Sequence, residues 1–229
     1  MHPASEVYGM EPSRPEDYDA ARLEVIGRRW DQKAERWDAD LADERFHLNE
    51  DGAYRRFLAT ADEIVARRAE FCRERLLVDL GCGTGLVLAH FLDRFSGGLG
   101  IDISRQMLAV AARRRLPSTR LVAANCFELA RHVSGAGAVL SRGVLLSHYG
   151  PRWAPVLFDE IRRALVPDGG LALLDFLNAT ARDSYPSNPD NKTYYSSDQI
   201  QWLGQQAGFR RTCILGDSQR RVLLALLEM

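Results

Sequence analysis

Val78-Asp79-Leu80-Gly81-Cys82-Gly83-Thr84-Gly85 runs from an apolar segment, Leu76 to Leu80, into three closely spaced glycines and then into a helical pattern from Thr84 to Phe95. A buried strand that turns sharply into a helix has this form. The glycines permit the tight turn and, lacking a Cβ, let a ligand lie against the backbone. Asp102 closes the next apolar run, Leu99 to Asp102. A carboxylate at that strand end can accept both hydroxyls of a ribose lying across the switch point of a parallel sheet. Loop, helix, strand and terminal acid, in that order, predict a site for a nucleoside cofactor.

Downstream, short apolar runs keep alternating with helical stretches, which predicts a βαβ succession and an α/β fold with a doubly wound, mainly parallel sheet. Ser104 to Arg115 reads as a helix stopped by Pro117, Arg120 to Ala123 as a strand, and Phe127 to His132 as a short helix. Ala138 to Ser141 is the fourth strand. Pro151 and Pro155 suit the first turn of a helix running to Val166, closed by Pro167-Asp168-Gly169-Gly170 before the strand Leu171 to Asp175. Phe176 to Tyr195, interrupted by Pro186 and Pro189, reads as a loop too long for a simple connection. Ser197 caps a helix through Ala207, and Phe209–Leu215 with Arg221–Leu227 form a terminal antiparallel hairpin around Gly216-Asp217-Ser218.

Upstream, Leu23, Ile26, Trp30, Ala34, Trp37 and Leu41 recur at three- and four-residue steps and predict one amphipathic helix. A break at Phe46-His47-Leu48-Asn49 precedes a second helix, with Tyr54, Phe57, Leu58, Ala61, Ile64 and Val65 on one side and Asn49 or Asp51 as its cap. Three units result: an arm over 1–21 that contains Pro3, Pro12 and Pro15, a helical cap or lid over 22–75, and the α/β domain over 76–229.

Composition narrows the function classes. The chain has 229 residues, 46% hydrophobic and 27% charged, which suits a soluble globular protein. Its net charge of −1 supplies no field to draw in a polyanion, so no nucleic-acid partner is expected. Residues 1–75 hold 13 Lys and Arg against 18 Asp and Glu, and only Lys33 and Lys192 are lysines. Cys72, Cys82, Cys126 and Cys213 lie too far apart for a zinc spacing, so no metal is expected. The first 30 residues lack a signal-peptide pattern, and no apolar run reaches the roughly 18 residues of a membrane span. A cytoplasmic protein with reduced thiols and no membrane partner is the expectation.

A dinucleotide fold places its third glycine where Leu86 stands, which argues against NAD. With Gly100-Ile101-Asp102-Ile103-Ser104 and Met107-Leu108 after it, the glycine stretch resembles class I S-adenosylmethionine-dependent methyltransferases over about residues 76–175. The resemblance implies a Rossmann-like seven-stranded sheet and S-adenosyl-L-methionine as cofactor, with S-adenosyl-L-homocysteine as product. It implies that Asp79 and the backbone of Gly81, Cys82, Gly83 and Gly85 face the methionine moiety. Asp102 would bind the ribose, and Ile103 and Met107 would flank the adenine. Asn125 stands where the family commonly has an Asp that accepts from the adenine amino group, and Cys126 beside it offers a backbone amide.

Methyl transfer from a sulfonium is an in-line displacement, so the protein chiefly aligns the acceptor and excludes water. Ser141 and Arg142 end the fourth strand beside the cofactor's expected methionine end, Ser141 counting among the cofactor's contacts. His148 is the candidate base, since a neutral imidazole is available at pH 7. Trp37, Tyr54, Arg142, Tyr149, Tyr185 and Tyr194, with Trp30, Phe46, His47 and Tyr195, could wall an acceptor pocket. The Asn-Pro-Pro-Tyr type of motif used on exocyclic base amines is missing after the fourth strand, and Asn188-Pro189-Asp190 lies in another loop, so flipped-base methylation is not expected. Two readings stand: methyl transfer to a small molecule at O or N, with C left open, in the manner of secondary metabolism; or a non-catalytic cofactor-binding module supporting a partner. A homodimer stays open under both.

Overall fold

A computed structural model describes residues 20–43, 52–185 and 192–229. Most of the amino-terminal arm, Phe46, His47, the candidate caps Asn49 and Asp51, and the segment holding Pro186 and Asn188-Pro189-Asp190 lie outside the described residues.

Seven strands, β1 (Leu76–Leu80), β2 (Gly97–Asp102), β3 (Thr119–Ala123), β4 (Ala138–Ser141), β5 (Leu171–Leu177), β6 (Arg211–Leu215) and β7 (Val222–Glu228), form one sheet in the order β3-β2-β1-β4-β5-β7-β6. β1 to β5 are parallel. β7 runs antiparallel between β5 and β6, which is the expected hairpin inserted into the sheet. The chain reverses its direction of winding between β1 and β4, paired from Leu77 opposite Ala138 to Asp79 opposite Leu140. Loops leaving these two strands therefore diverge and open a crevice at their carboxyl ends.

Period-two alternation sends neighbouring strand residues to opposite faces. Val78, Leu80, Ile101, Val139 and Leu174 join the side covered by α8 (Ala154–Ala164) and α9 (Ser197–Ala207), through residues such as Phe158, Ile161 and Leu203. Leu77, Leu140, Leu173 and Leu224 join the other, covered by α3 (Ala53–Arg67) and α5 (Leu86–Phe91), through Phe57, Ala61, Val65, Leu88 and Phe91. The helix at 53–67 is thus a layer of the sandwich, with Phe57 fully buried. β2 carries glycines despite their poor strand propensity because α5 lies directly on it: a Cβ on Gly100 would stand 2.9 Å from both the Leu88 side chain and Cys82 Sγ.

Several boundaries depart from the sequence pattern. The single helix expected over Arg22 to Leu41 is divided into α1 (Ala20–Asp31), a 3-10 turn (Ala34–Arg36) and α2 (Trp37–Ala42). The break follows from long-range bonding. Asp31 Oδ1 accepts from Ser104 Oγ (2.6 Å) and the Gln106 amide (3.1 Å), at the start of α6 (Arg105–Arg113). The helix after the glycine loop begins at Leu86 and tightens into a 3-10 turn at Leu92–Arg94. β5 continues to Leu177, because Asp175, Phe176 and Leu177 pair with Leu224, Leu223 and Val222, and a 3-10 helix (Ala179–Ser184) occupies part of the expected loop. Ser196 rather than Ser197 caps α9, in a reciprocal capping box with Gln199. Gly52 holds the cap position of α3. No helix among the described residues is long and apolar enough to cross a membrane.

Candidate active site

The glycine loop is fixed before any ligand arrives. Gly81, Gly83 and Gly85 take φ of 75°, 51° and 78°, the left-handed region a Cβ disfavours. The amides of Gly81 and Cys82 both donate to the Ile101 carbonyl, at 2.8 and 3.0 Å. Asp102 ties the loop to the next helix: its Oδ2 accepts from the Gly83 amide and its Oδ1 from the Ser104 amide, each at 2.8 Å. Burial raises the Asp102 pKa while these amides oppose the shift. Asp38 of α2 accepts from Thr84 Oγ at 2.5 Å and pairs with Arg114, whose Nε donates to the Thr84 carbonyl at 2.6 Å. The amino-terminal helices are therefore bolted to the glycine loop.

Between these elements lies a cavity of about 890 Å³, counting its open mouth. Asp79, Gly81, Cys82, Gly83, Asp102, Ile103, Met107 and Cys126 line it, as do Trp37, Arg142, His148 and Tyr149. Trp30 lines it too, whereas Gly85, Asn125, Ser141, Tyr54, Tyr185, Tyr194 and Tyr195 do not. Gly85 packs its backbone toward Ala111. Asn125 Oδ1 accepts from the Phe127 amide at 2.7 Å and so caps a 3-10 turn. Ser141 Oγ donates to the Leu80 carbonyl at 2.8 Å, joining β4 to β1. Tyr54 lies beneath the Arg142 guanidinium, 3.8 Å from its ring centroid. Tyr185 bonds the Gln219 carbonyl, and Tyr194 packs near Val144, Leu177 and Val222.

Asp79 is 1% exposed, and its Oδ2 has no hydrogen-bond partner. Burial pushes its pKa up to about 7, against the pull of Arg142 and the Leu88 amide. A buried carboxylate oxygen with unused lone pairs at the wall of a cavity fits an incoming donor. An ammonium group satisfies it best.

Across the cavity, the turn after β4 is held by a second carboxylate. Asp175 Oδ2 accepts from the Gly143 amide (2.9 Å) and Oδ1 from the Val144 amide (2.7 Å). Val144 sits at φ 53°, costly for a β-branched residue. Burial lowers the Arg142 pKa, against the pull of Tyr54, Asp175 and Asp79. His148 is neutral: burial and the charge of Lys192 bring its pKa down to about 3. Lys192 Nζ approaches His148 Nδ1 at 2.5 Å, and the ring also bonds the Gly143 backbone. Trp30 lies tilted at 53° to it, 5.5 Å between ring centroids.

Asp175, Lys192 and the Asp38–Arg114 link escaped the sequence reading. Asp175 alone left a signal, since it ends an apolar run as Asp102 does. The other two meet their partners only across the fold.

A glycine loop after β1, an acid ending β2, a crevice at the β1/β4 reversal and an antiparallel β7 between β5 and β6 together define the class I methyltransferase architecture. Residues 77–169 match the family described as methyltransferase domain, which supports a class I S-adenosylmethionine-dependent methyltransferase. It is 32% identical over 156 residues to trans-aconitate 2-methyltransferase of Acidovorax sp. (strain JS42), covering 66% of this chain and 53% of that one. The chain thus spans about half the length of the curated relatives it matches. Its fold is similar to that of magnesium protoporphyrin IX methyltransferase from Synechocystis PCC 6803, crystallised with S-adenosylmethionine, with a TM-score of 0.69 at 14% identity over 93% of this chain and 99% of that one. Streptomyces venezuelae DesVI gives a TM-score of 0.60 at 18% identity, over 75% and 91% of the two chains.

Proposed function

We propose that the chain binds S-adenosylmethionine in this cavity and transfers its methyl group to an oxygen or nitrogen of a small molecule, as a cytoplasmic enzyme of secondary metabolism. The observation that carries the reading is the unpartnered Asp79 Oδ2 beside a glycine loop already tied to Asp102. Asp79 would receive the methionine ammonium, Asp102 the ribose hydroxyls through its remaining lone pairs, and Ile103, Met107 and Cys126 the adenine. When bound, the cofactor supplies an electrophilic methyl on a sulfonium. Trp37, Arg142, Tyr149 and His148 would then shape the acceptor's side of the same cavity. The naming of the relatives as methyltransferases favours turnover over the non-catalytic module.

Calorimetry should find S-adenosylmethionine and S-adenosylhomocysteine bound and NAD unbound. Asp102→Ala should weaken cofactor binding about 10- to 100-fold, since a hydrogen bond to a charged group is worth roughly 1.5–3 kcal/mol. Unchanged affinity would remove the ribose assignment. A mass-spectrometric screen for acceptors that gain one methyl group then tests turnover.

His148 acts in this reading as a positioning residue. A ring with pKa about 3 is a weak base, and its Nδ1 is already occupied by Lys192. His148→Gln should keep turnover within about threefold, and the pH profile should show no inflection from His148 between pH 5 and 8. A general base lost at this position would instead cost about 10²–10⁴-fold, and that result would restore the proton-removing role.

A further inference from the structure

Both lysines of the chain contact residues that line one edge of the cavity, without lining it themselves. Lys192 Nζ lies 2.5 Å from His148 Nδ1, Trp30 lies tilted against the same imidazole, and Lys33 Nζ sits 5.0 Å from the Trp30 ring centroid. Arg29, one residue before Trp30, adds a third charge near enough to bear on Lys33, His148 and Lys192.

Among the described residues these three cations share one counter-charge, Asp40, which opposes the lowering of the Lys33 pKa by burial and Arg29. Elsewhere, partly buried cations are paired: Arg68 with Glu228, Arg114 with Asp38, Arg94 with Asp62. Arg142, on the same cavity, has Asp79 and Asp175 for counter-charges. Among the described residues, no carboxylate forms an ion pair with Lys192, Lys33 or Arg29, and the closest polar partner of Lys192 is a neutral imidazole. An ammonium carries three donors, and His148 takes one. Burial, together with the charges of Arg29 and Lys33, brings the Lys192 pKa down to about 8. Like charges that outnumber the counter-charge beside them repel one another, and an anion docking there removes that cost.

We infer that Lys192, Lys33 and Arg29 form an anion subsite at the Trp30–His148 edge of the cavity, and that the methyl acceptor docks there through an oxyanion. This deepens the methyl-transfer reading and rests on it. His148 and Arg142 divide the space. The Arg142 side is neutralised by its two carboxylates, whereas the His148 side keeps unspent positive charge. The acceptor's anionic group therefore lies toward Lys192, and its nucleophilic atom toward the Asp79 side of the cavity.

The test uses the full-length protein saturated with S-adenosylhomocysteine, titrated with citrate, with inorganic phosphate, and with a neutral tri-amide of citrate. Citrate or phosphate should bind and the amide should not. Lys192→Met should weaken that binding at least tenfold, Lys33→Met by less, and Lys192→Arg should restore most of it. S-adenosylhomocysteine affinity should stay the same in all three variants. Binding should also weaken with added salt, and as pH rises through about 8 in the field of Arg29, Lys33 and neutral His148. Citrate binding alone identifies a carboxylate, and phosphate binding alone a phosphate ester. Failure of both anions, or equal anion affinity in Lys192→Met, overturns the subsite. Failure to bind S-adenosylhomocysteine overturns the methyl-transfer reading instead.

Discussion

At pH 8 the ligand-free Asp79→Asn protein should be more stable than the parent, by on the order of 2–4 kcal/mol, while its affinity for S-adenosylmethionine falls about 10- to 100-fold. The stability half follows from the sign of the shift. Asp79 titrates near 3.8 when unfolded and near 7 when folded, because burial opposes its charge. Below the unfolded value the group is protonated in both states and contributes nothing unfavourable. As pH rises toward 7 the unfolded chain ionises more readily than the folded one, so stability is lost over that window and stays lost above it. Each pKa unit corresponds to about 1.4 kcal/mol. Asparagine keeps the shape and removes the charge. Urea unfolding at pH 8 and pH 4 measures this, and the gain should vanish at the lower pH. The affinity half follows from the same atom, since the amide no longer offers a charge to an ammonium. Binding should also release a proton near pH 6 in the parent, seen as buffer-dependent heat. An asparagine variant that is no more stable at pH 8, or that binds as tightly as the parent, would remove Asp79 from its assigned place.

The parts of this site legible in sequence are those set by neighbours in the chain. The glycine loop and Asp102 are joined by one βαβ unit, and Leu76–Leu80 and Ala138–Ser141 each read as a strand from their own apolar runs. What stayed illegible depends on partners far along the chain. Residues 53–67 show an apolar face, but nothing in them says that it covers Leu77, Leu140 and Leu224. The break after Asp31 answers to Ser104 and Gln106. Asn125 offered an amide at the position the family resemblance suggested, but the fold spends its oxygen on the Phe127 amide. Lys192 sat in a stretch without any period, and only the return of the chain beside β4 brings it to His148. Local rules thus specify the cofactor half, and tertiary contacts assemble the acceptor half.

That division makes Asp175 the residue whose loss should separate catalysis from stability. Asp175→Ala leaves the Gly143 and Val144 amides without their acceptors, at roughly 1–3 kcal/mol each, and frees Val144 from its left-handed conformation. Against this stands the relief of burying a carboxylate whose pKa is raised to about 6, on the order of 3 kcal/mol above that pH at about 1.4 kcal/mol per unit. The two terms largely offset, so net destabilisation should stay within about 3 kcal/mol. Turnover has no such offset. The turn sets both Arg142 and the Gly143 backbone that His148 bonds, and a displacement of about 1 Å in an aligned site can cost about 10²-fold. Methyl transfer should therefore fall by that factor while S-adenosylhomocysteine affinity, governed by the far side of the cavity, changes little. The pH profile supplies a second readout. With saturating cofactor the ammonium keeps Asp79 ionised, so the acid limb belongs to Asp175: parent turnover should drop as pH falls through about 6, when protonation withdraws one acceptor from the turn. Asp175→Asn, which keeps one acceptor at every pH, should show intermediate turnover and no acid limb. A parent profile flat through pH 6, or an alanine variant with full turnover, would mean that the turn after β4 holds its shape without Asp175.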